Sequence, residues 1–481
     1  MKIKFLILLL FFIFVPIKTF AIDIVYPKNN GVKIYANSTF FVGNSNFENN
    51  LFLNGEQIEV FENGAFLKYV PLIDGENIFF FEEKDKNTGE LISSLDFRVN
   101  KIEPPQKCVD ENNAIICHEK MFLTQVKKDN VPLRNNSNEN AKRLSHLDEN
   151  TILILDWQHN GFWRVILDEN KYAWINAKHI IEPVEIEDKL LSKIEDIQFG
   201  QDEKEYIFMY KTKFPVPYIV EQEEKSLTLK FYNVDVKDYK KVKKYNFILE
   251  PNEKNKLITQ INLEEKVFGY DVKYENGYMV FKIKKAPVIK SSKPLKNIKI
   301  VIDAGHGGKD SGSVGPTRVK ESEVNLDVAL KLEKILKKCG ADVFMIRNED
   351  VFVDLYERVK LTKEFEPDLF ISLHANALPD GANPEEKHGT AVFYYYPQSK
   401  EFAKIMQAQI LEEMGTKDDG VSKYSLVVIR NTCCPAILIE MAYMVHPQEY
   451  TFLLDEEFRK SMAEAIKNGI KQFLLNKDCA N

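Results

Sequence analysis

Asn297 to Glu323 reads NIKIVIDAGHGGKDSGSVGPTRVKESE. It opens on a short β-branched run, Ile298-Lys-Ile-Val-Ile302, of the kind a buried strand needs. The run breaks at Asp303-Ala-Gly305-His306-Gly307-Gly308, where glycines permit tight turns and the close approach of another group. Outward from it, strands and helices alternate. Val324, Val328, Ala329, Leu332, Ile335 and Leu336 share one helical face, which Gly340 ends. Strands are predicted at 342–346, 369–373, 391–395 and 436–439, and helices at 354–365 and 399–414. A final amphipathic helix turns Phe458, Met462, Ala465, Ile466 and Phe473 inward. This alternation predicts an α/β domain with a mostly parallel sheet covered by helices.

In open α/β sheets the carboxyl ends of parallel strands face one crevice. His306 is predicted to follow the 298–302 strand, His374 to follow the 369–373 strand directly, and Glu440 to end the 436–439 strand. Glu321 is expected in the loop that enters the helix at Val324. Two imidazoles and a carboxylate suit one zinc ion and leave a fourth position for water. A second carboxylate, not bound to metal, can carry a proton to and fro. The predicted set is therefore His306, Glu321 and His374 as zinc ligands, with Glu440 as acid/base in amide hydrolysis. Singly, each has a plain alternative: a histidine satisfied by hydrogen bonds, or an acid that opens a helix. Glu440 is the more telling, because a carboxylate after Ala436-Ile-Leu-Ile439 is buried at a cost.

The 481 residues are too many for one core, and about two to four domains are expected. Hydrophobic content of 44% and charged content of 28% exclude a disordered chain. The net charge of −7, with no dominant basic patch, argues against a nucleic-acid partner. Residues 1–21 have a basic start, an apolar stretch from Phe5 to Val15 and an exit ending at Ala21. That layout predicts a cleaved signal peptide and an exported, periplasmic or cell-wall-associated product that meets the membrane only during export. An uncleaved anchor is the alternative, and the run is shorter than the ~20 residues of a span. Cys108 and Cys117 could close a small loop or stay free thiols.

Ahead of the α/β domain the pattern is β throughout. Residues 22–102 show short strands punctuated by Asn54-Gly55, Asn63-Gly64 and Asp74-Gly75, and LNGEQIEV with ENGAFLKYVPLIDGENIFFF resembles bacterial immunoglobulin-like modules. Glu103-Pro-Pro105 marks a linker. Residues 109–183 carry VPLRNNSN, TILILDWQ, NGFWRVIL and KYAWINAKHI, which resemble the bacterial SH3 family, with Ala173 where that family usually has Gly. Trp157, Trp163 and Trp174 offer either a peptide-binding face or packed barrel aromatics, the second being the commoner outcome. Residues 190–286 alternate again, and FGYDVKY (268–274) resembles the β-rich region that often precedes cell-wall amidase domains. A Lys/Ser/Pro linker then places the last domain at 296–476.

IVIDAGHGGKDSGSVG, KESEVNLDVALKL, IRNEDVFVDLYERV, DLFISLHANA, HGTAVFYY and PAILIEMAYMVHPQE resemble successive motifs of the zinc-dependent N-acetylmuramoyl-L-alanine amidases, over 297–475. The resemblance implies cleavage of the amide between N-acetylmuramic acid and the L-alanine of the peptidoglycan stem. It also implies one Zn2+ on His306, Glu321 and His374, Glu440 as the catalytic residue, and peptidoglycan as the partner; a protein activator is a further candidate partner. Arg347, Asp350 and Arg358 match further motif positions and are expected to be structural. Departures bear on the pocket: His446-Pro447 stands where Asn-Pro is common, Asp418-Asp-Gly420 lacks an Arg, and Met441-Ala442 replaces Thr-Gly or Leu-Gly. The loop Ala377 to Lys387 is too short for a long self-blocking helix, so regulation is expected from the β domains or a partner. Two rival functions are a catalytically silent wall-binding scaffold and a zinc peptidase.

Overall fold

A computed structural model describes residues 22–102, 116–169, 171–236, 242–244, 247–252 and 255–476. The expected signal peptide, the Glu103-Pro-Pro105 linker and Cys108, and with Cys108 the question of its pairing to Cys117, lie outside the described residues. Among those described, Cys339, Cys433 and Cys434 are free thiols.

The first β unit is a sandwich. Ser38–Asn44 is the middle strand of a three-stranded sheet between Asp23–Tyr26 and Ala65–Pro71. A five-stranded sheet built on Gly75–Asp85 and Leu91–Lys101 faces it. Phe41 points into the shared core with Leu51, Phe66, Phe81 and Phe97. Its neighbours Phe40 and Val42 point the other way and are also fully buried, against Leu378, Tyr443 and Val445 of the last domain. Burial on both faces explains why Thr39-Phe-Phe-Val42 is continuously apolar rather than alternating.

Next comes a seven-stranded antiparallel sheet whose core, completed by Ile219 and Tyr232 of the following unit, has Trp163 packed against Phe122. Trp157 lies 3.8 Å from the Arg164 guanidinium, on the face that also carries Tyr172. Two five-stranded sheets follow and share one core around Phe208, Phe231 and Phe281. This unit is fastened to the last domain by the Lys363–Asp271 and Lys284–Asp368 ion pairs, at 2.8 and 2.9 Å.

The last domain is numbered here on its own. Its strands are β1 (Lys299–Ala304), β2 (Asp342–Met345), β3 (Leu369–Asn376), β4 (Thr390–Tyr394), β5 (Asp418–Lys423) and β6 (Ala436–Tyr443), and they pair in the order β2-β1-β3-β6-β4-β5. All neighbours are parallel except β4 and β6, which run antiparallel, so the sheet is mixed. Helices α1 (Glu321–Lys338), α3 (Lys400–Met414) and α5 (Glu456–Leu475) cover one face through Ile300, Ile302, Leu373 and Ile439. The other face carries Val301, Phe370 and Leu438, and is covered by α2 (Leu355–Phe365) and by Val428 and Ile429 of an irregular segment. A short helix α4 (Pro447–Leu454) follows β6. Neither α4 nor β5 was legible as an element of its own. The polar stretch DDGVSK has no apolar periodicity, and α4 is separated from α5 only by Asp455, which caps both.

Inside this sheet Asp303 and Arg358 form an ion pair with side chains only 1% and 3% exposed, and Ser372 Oγ donates to the same carboxylate at 2.7 Å. Removing one partner of such a pair strands the other charge, at a cost of about 3–5 kcal/mol. Arg358→Met is therefore expected to destabilise the last domain by that amount in denaturant titrations. A loss below about 1 kcal/mol would show that the pair holds little of the structure.

Candidate metal centre

The turn after β1 sets the site. His306 adopts a left-handed backbone (φ 60°) and Gly307 follows at φ 129°, where a Cβ would sit 2.3 Å from the Val351 carbonyl oxygen. Such a conformation is uncommon for a non-glycine residue and survives only when neighbours hold it. The Arg358 guanidinium donates to the His306 carbonyl at 2.8 Å, and Arg347 donates to the carbonyls of Ala304, Gly305 and Ser322 at 2.8 to 2.9 Å. Asp350 accepts the Gly308 N–H at 2.8 Å. The three residues expected to be structural are thus the braces of this turn.

Glu321 opens α1 rather than lying in a loop, because Lys320 takes the cap position. Its Oε2 accepts the Ser313 N–H at 2.8 Å, and its Oε1 accepts from Ala375 N and Asn325 Nδ2, each at 3.2 Å. His374 and Glu440 lie within their strands rather than past them, since β3 and β6 run on to Asn376 and Tyr443. The parallel register pairs the two residues directly. Gly305 passes so close to the His374 ring that a Cβ there would come within 2.3 Å of it. Gly305→Ala is accordingly expected to displace His374 and lower zinc affinity at least tenfold in chelator competition. Unchanged affinity would show that the ring has room to yield.

The three residues converge. Oε1 of Glu321 lies 3.2 Å from His306 Nε2 and 3.0 Å from His374 Nδ1, and the two rings are inclined at 77°. Zinc bonds of about 2.0–2.1 Å at tetrahedral angles set donor atoms roughly 3.3 Å apart, so these atoms fit around one ion. The second nitrogen of His306, Nδ1, meets Asp310 at 2.9 Å, which orients the ring as a carboxylate commonly does behind a metal-bound histidine. Asp310 escaped the sequence reading, although its place four residues after His306 was there to be seen.

Charge reinforces the geometry. Burial opposes ionisation of Glu321, yet its contacts with His306 and His374 hold the carboxyl well below the usual range. Burial also lowers His306, but Glu321 and Asp310 outweigh it and carry the imidazole up to about 9; His374 is raised in the same sense. Glu440 is pushed up to about 7 by burial, against the pull of His374. Its Oε2 is buried and has no hydrogen-bond partner among the described residues.

A second group, His388, His446 and Glu449, sits where β4 begins and α4 starts. Here the imidazoles stack nearly parallel, 4.1 Å apart at 14°, so their in-plane lone pairs do not converge. His388 Nδ1 and Glu449 Oε1 are 2.6 Å apart, a hydrogen bond rather than two ligands around an ion. His446 caps α4, while Glu449 Oε2 accepts the Tyr443 N–H at 2.7 Å. The other departures are also absorbed locally, as Asp419 accepts the Tyr443 hydroxyl at 2.6 Å and Met441 and Ala442 are buried in the domain core.

A mixed α/β sheet thus gathers two imidazoles and a carboxylate that could hold a metal ion, beside a buried glutamate whose Oε2 has no hydrogen-bond partner among the described residues. A family model described as N-acetylmuramoyl-L-alanine amidase matches residues 300–472. Uncharacterized protein YqiI of Bacillus subtilis is 32% identical over 188 residues, which are 39% of this chain and 90% of YqiI. Probable cell wall amidase LytH of Staphylococcus epidermidis is 34% identical over 185 residues, 38% of this chain, and the chain spans 60% of LytH. The catalytic domain of CwlV, an N-acetylmuramoyl-L-alanine amidase from Bacillus (Paenibacillus) polymyxa var. colistinus, is 37% identical, with 37% of this chain and 98% of that one covered and a TM-score of 0.35. Through its last domain the chain belongs to the N-acetylmuramoyl-L-alanine amidase family.

Proposed function

We propose that the protein hydrolyses the amide between N-acetylmuramic acid and L-alanine of peptidoglycan, with one zinc ion held by His306, Glu321 and His374. The observation that carries this reading is the convergence of those donors beside Glu440, whose Oε2 has no hydrogen-bond partner among the described residues. When bound, zinc would supply a water of lowered pKa and polarise the scissile carbonyl. Glu440 takes the proton from the attacking water and returns it to the leaving amine, a task suited to a carboxyl whose pKa lies near neutrality. Asp310 and Asn325 hold the ligand side chains in place.

The division into a signal peptide (1–21), an immunoglobulin-like unit (22–102), an SH3-like unit (109–183), a β-rich unit (190–286) and the catalytic domain (296–476) belongs to the same proposal. It is supported by a buried cluster centred in each of the three β units and in the last domain, with Ile219 and Tyr232 of the third unit joining the core of the second and Phe268 that of the last. The product acts outside the cell in wall remodelling, cell separation or lysis, with a protein activator as a partner. No helix among the described residues is long and apolar enough to cross a membrane.

Purified peptidoglycan incubated with the protein should release stem peptides whose amino terminus is L-alanine, identified by mass spectrometry. Cleavage within the stem would make the protein a peptidase instead. No release, from protein that carries zinc, would leave a wall-binding scaffold.

A further inference from the structure

The first β sandwich touches every segment that carries a residue of the metal centre. Between His306 and Glu321, the Pro316 carbonyl accepts from Asn44 Nδ2 at 2.7 Å, and Arg318 makes a two-pronged pair with Asp23 at 3.0 and 2.7 Å. Beyond His374, Leu378 packs on Phe40 and Val42. There too, Asp380 Oδ1 accepts hydroxyls from Tyr26 at 2.7 Å and from Thr39 at 2.8 Å. Beyond Glu440, Tyr443 and Val445 complete the same apolar cluster, and Asn63 donates to the Thr451 hydroxyl at 2.8 Å.

The sandwich nevertheless leaves the centre open. The His306 side chain is 26% exposed and Asp310 48%, values that a lid seated on the cluster would abolish. Its contacts run along the rim instead. The 377–387 segment matters most, because it leaves the strand of His374 directly and forms no helix or strand of its own. At its far end it is tied by the His388–Glu449 contact; at its near end its side-chain anchor is Asp380.

We propose that the first β sandwich is a positioning element for the metal centre, acting through the two hydroxyls that Tyr26 and Thr39 place on Asp380. Without them the 377–387 segment keeps the packing of Leu378 and Ala382 and the Lys417 contact to the Glu386 carbonyl but loses its polar tie to the sandwich, so it moves more, and the end of the strand that presents His374 moves with it. Ligand groups must be held to within about 0.5 Å for tight binding and fast turnover, so a loosened segment weakens both. The turnover part rests on the amidase reading; the zinc and mobility parts do not.

The test uses the full chain and Tyr26→Phe/Thr39→Val, which removes both donors without touching the last domain. Hydrogen exchange in 377–387 should quicken at least tenfold while that of Leu369–Leu373 holds. Zinc should be lost to a competing chelator at least fivefold more readily. On peptidoglycan kcat should fall five- to tenfold, with KM unchanged within twofold. Asp380→Asn keeps an acceptor oxygen for both hydroxyls, so it should give smaller changes of the same sign, and it decides the matter if the double variant does not fold. Unchanged exchange overturns the proposal, as does faster exchange with unaltered zinc affinity. A rise in kcat overturns it in favour of a lid. If the parent chain releases no stem peptide, the amidase reading falls, while exchange and zinc affinity still decide this proposal.

Discussion

Glu440→Gln should keep its zinc and lose roughly 10²- to 10⁴-fold in turnover, the usual worth of a general acid/base. Glutamine has the same shape, so it fills the same place beside His374 in the parallel register and leaves the sheet intact. It cannot accept a proton. The metal should remain because Glu440 is not among the three atoms that converge. Release of alanine-terminated stem peptides together with metal analysis checks both halves. Full activity would move the proton-carrying role elsewhere, and loss of zinc would make Glu440 a ligand. The pH dependence has a definite sign. Burial sets the Glu440 carboxyl at about 7 without metal, and a bound cation would favour its ionised form. Turnover should therefore fall as pH drops through an apparent pKa at or below about 7, and the glutamine variant should lack that acid limb.

The residues that converge were legible in the sequence as candidates because they lie on strong local patterns. Ile298 to Ile302 and Ala436 to Ile439 are apolar runs, and a polar group at the end of such a run stands out. The strand ends were less legible. His374 and Glu440 are strand residues, since Ala375 and Met441 to Tyr443 continue the ladder, and no propensity marks where pairing stops. Strand β5 could not be read at all, because it lies at the sheet edge and is held by backbone pairing to β4 rather than by an apolar face. Contacts between units left even less trace. Asp380 reads as one more loop acid until Tyr26 and Thr39 are seen on it, and Phe40 and Val42 read as ordinary sandwich core. The braces Arg347 and Arg358 were seen as structural residues, but Arg347 donates to main-chain carbonyls, and Arg358 adds such carbonyls to its pair with Asp303, targets that no sequence pattern reports.

His374→Ala should abolish zinc binding at micromolar metal and turnover with it. Perturbing groups behind a ligand typically weakens metal affinity by about 10- to 100-fold, and deleting a donor outright should exceed that. The fold should survive, because Glu321 keeps its bonds from Ala375 N, Asn325 and Ser313, and the cavity left behind opens toward solvent. Loss of metal without loss of the unfolding transition is the expected pattern; zinc retained at the parental affinity would remove His374 from the ligand set. Proton release supplies an independent check. In the metal-free chain the His306 imidazole titrates at about 9, so at pH 7 it is protonated and must shed that proton to bind zinc. Calorimetric zinc titrations in buffers of different ionisation enthalpy should show release of protons by the parent chain, and affinity should climb with pH up to about 9. Both signals should vanish in the alanine variant, for with His374 gone only two of the three donors remain to grip the ion.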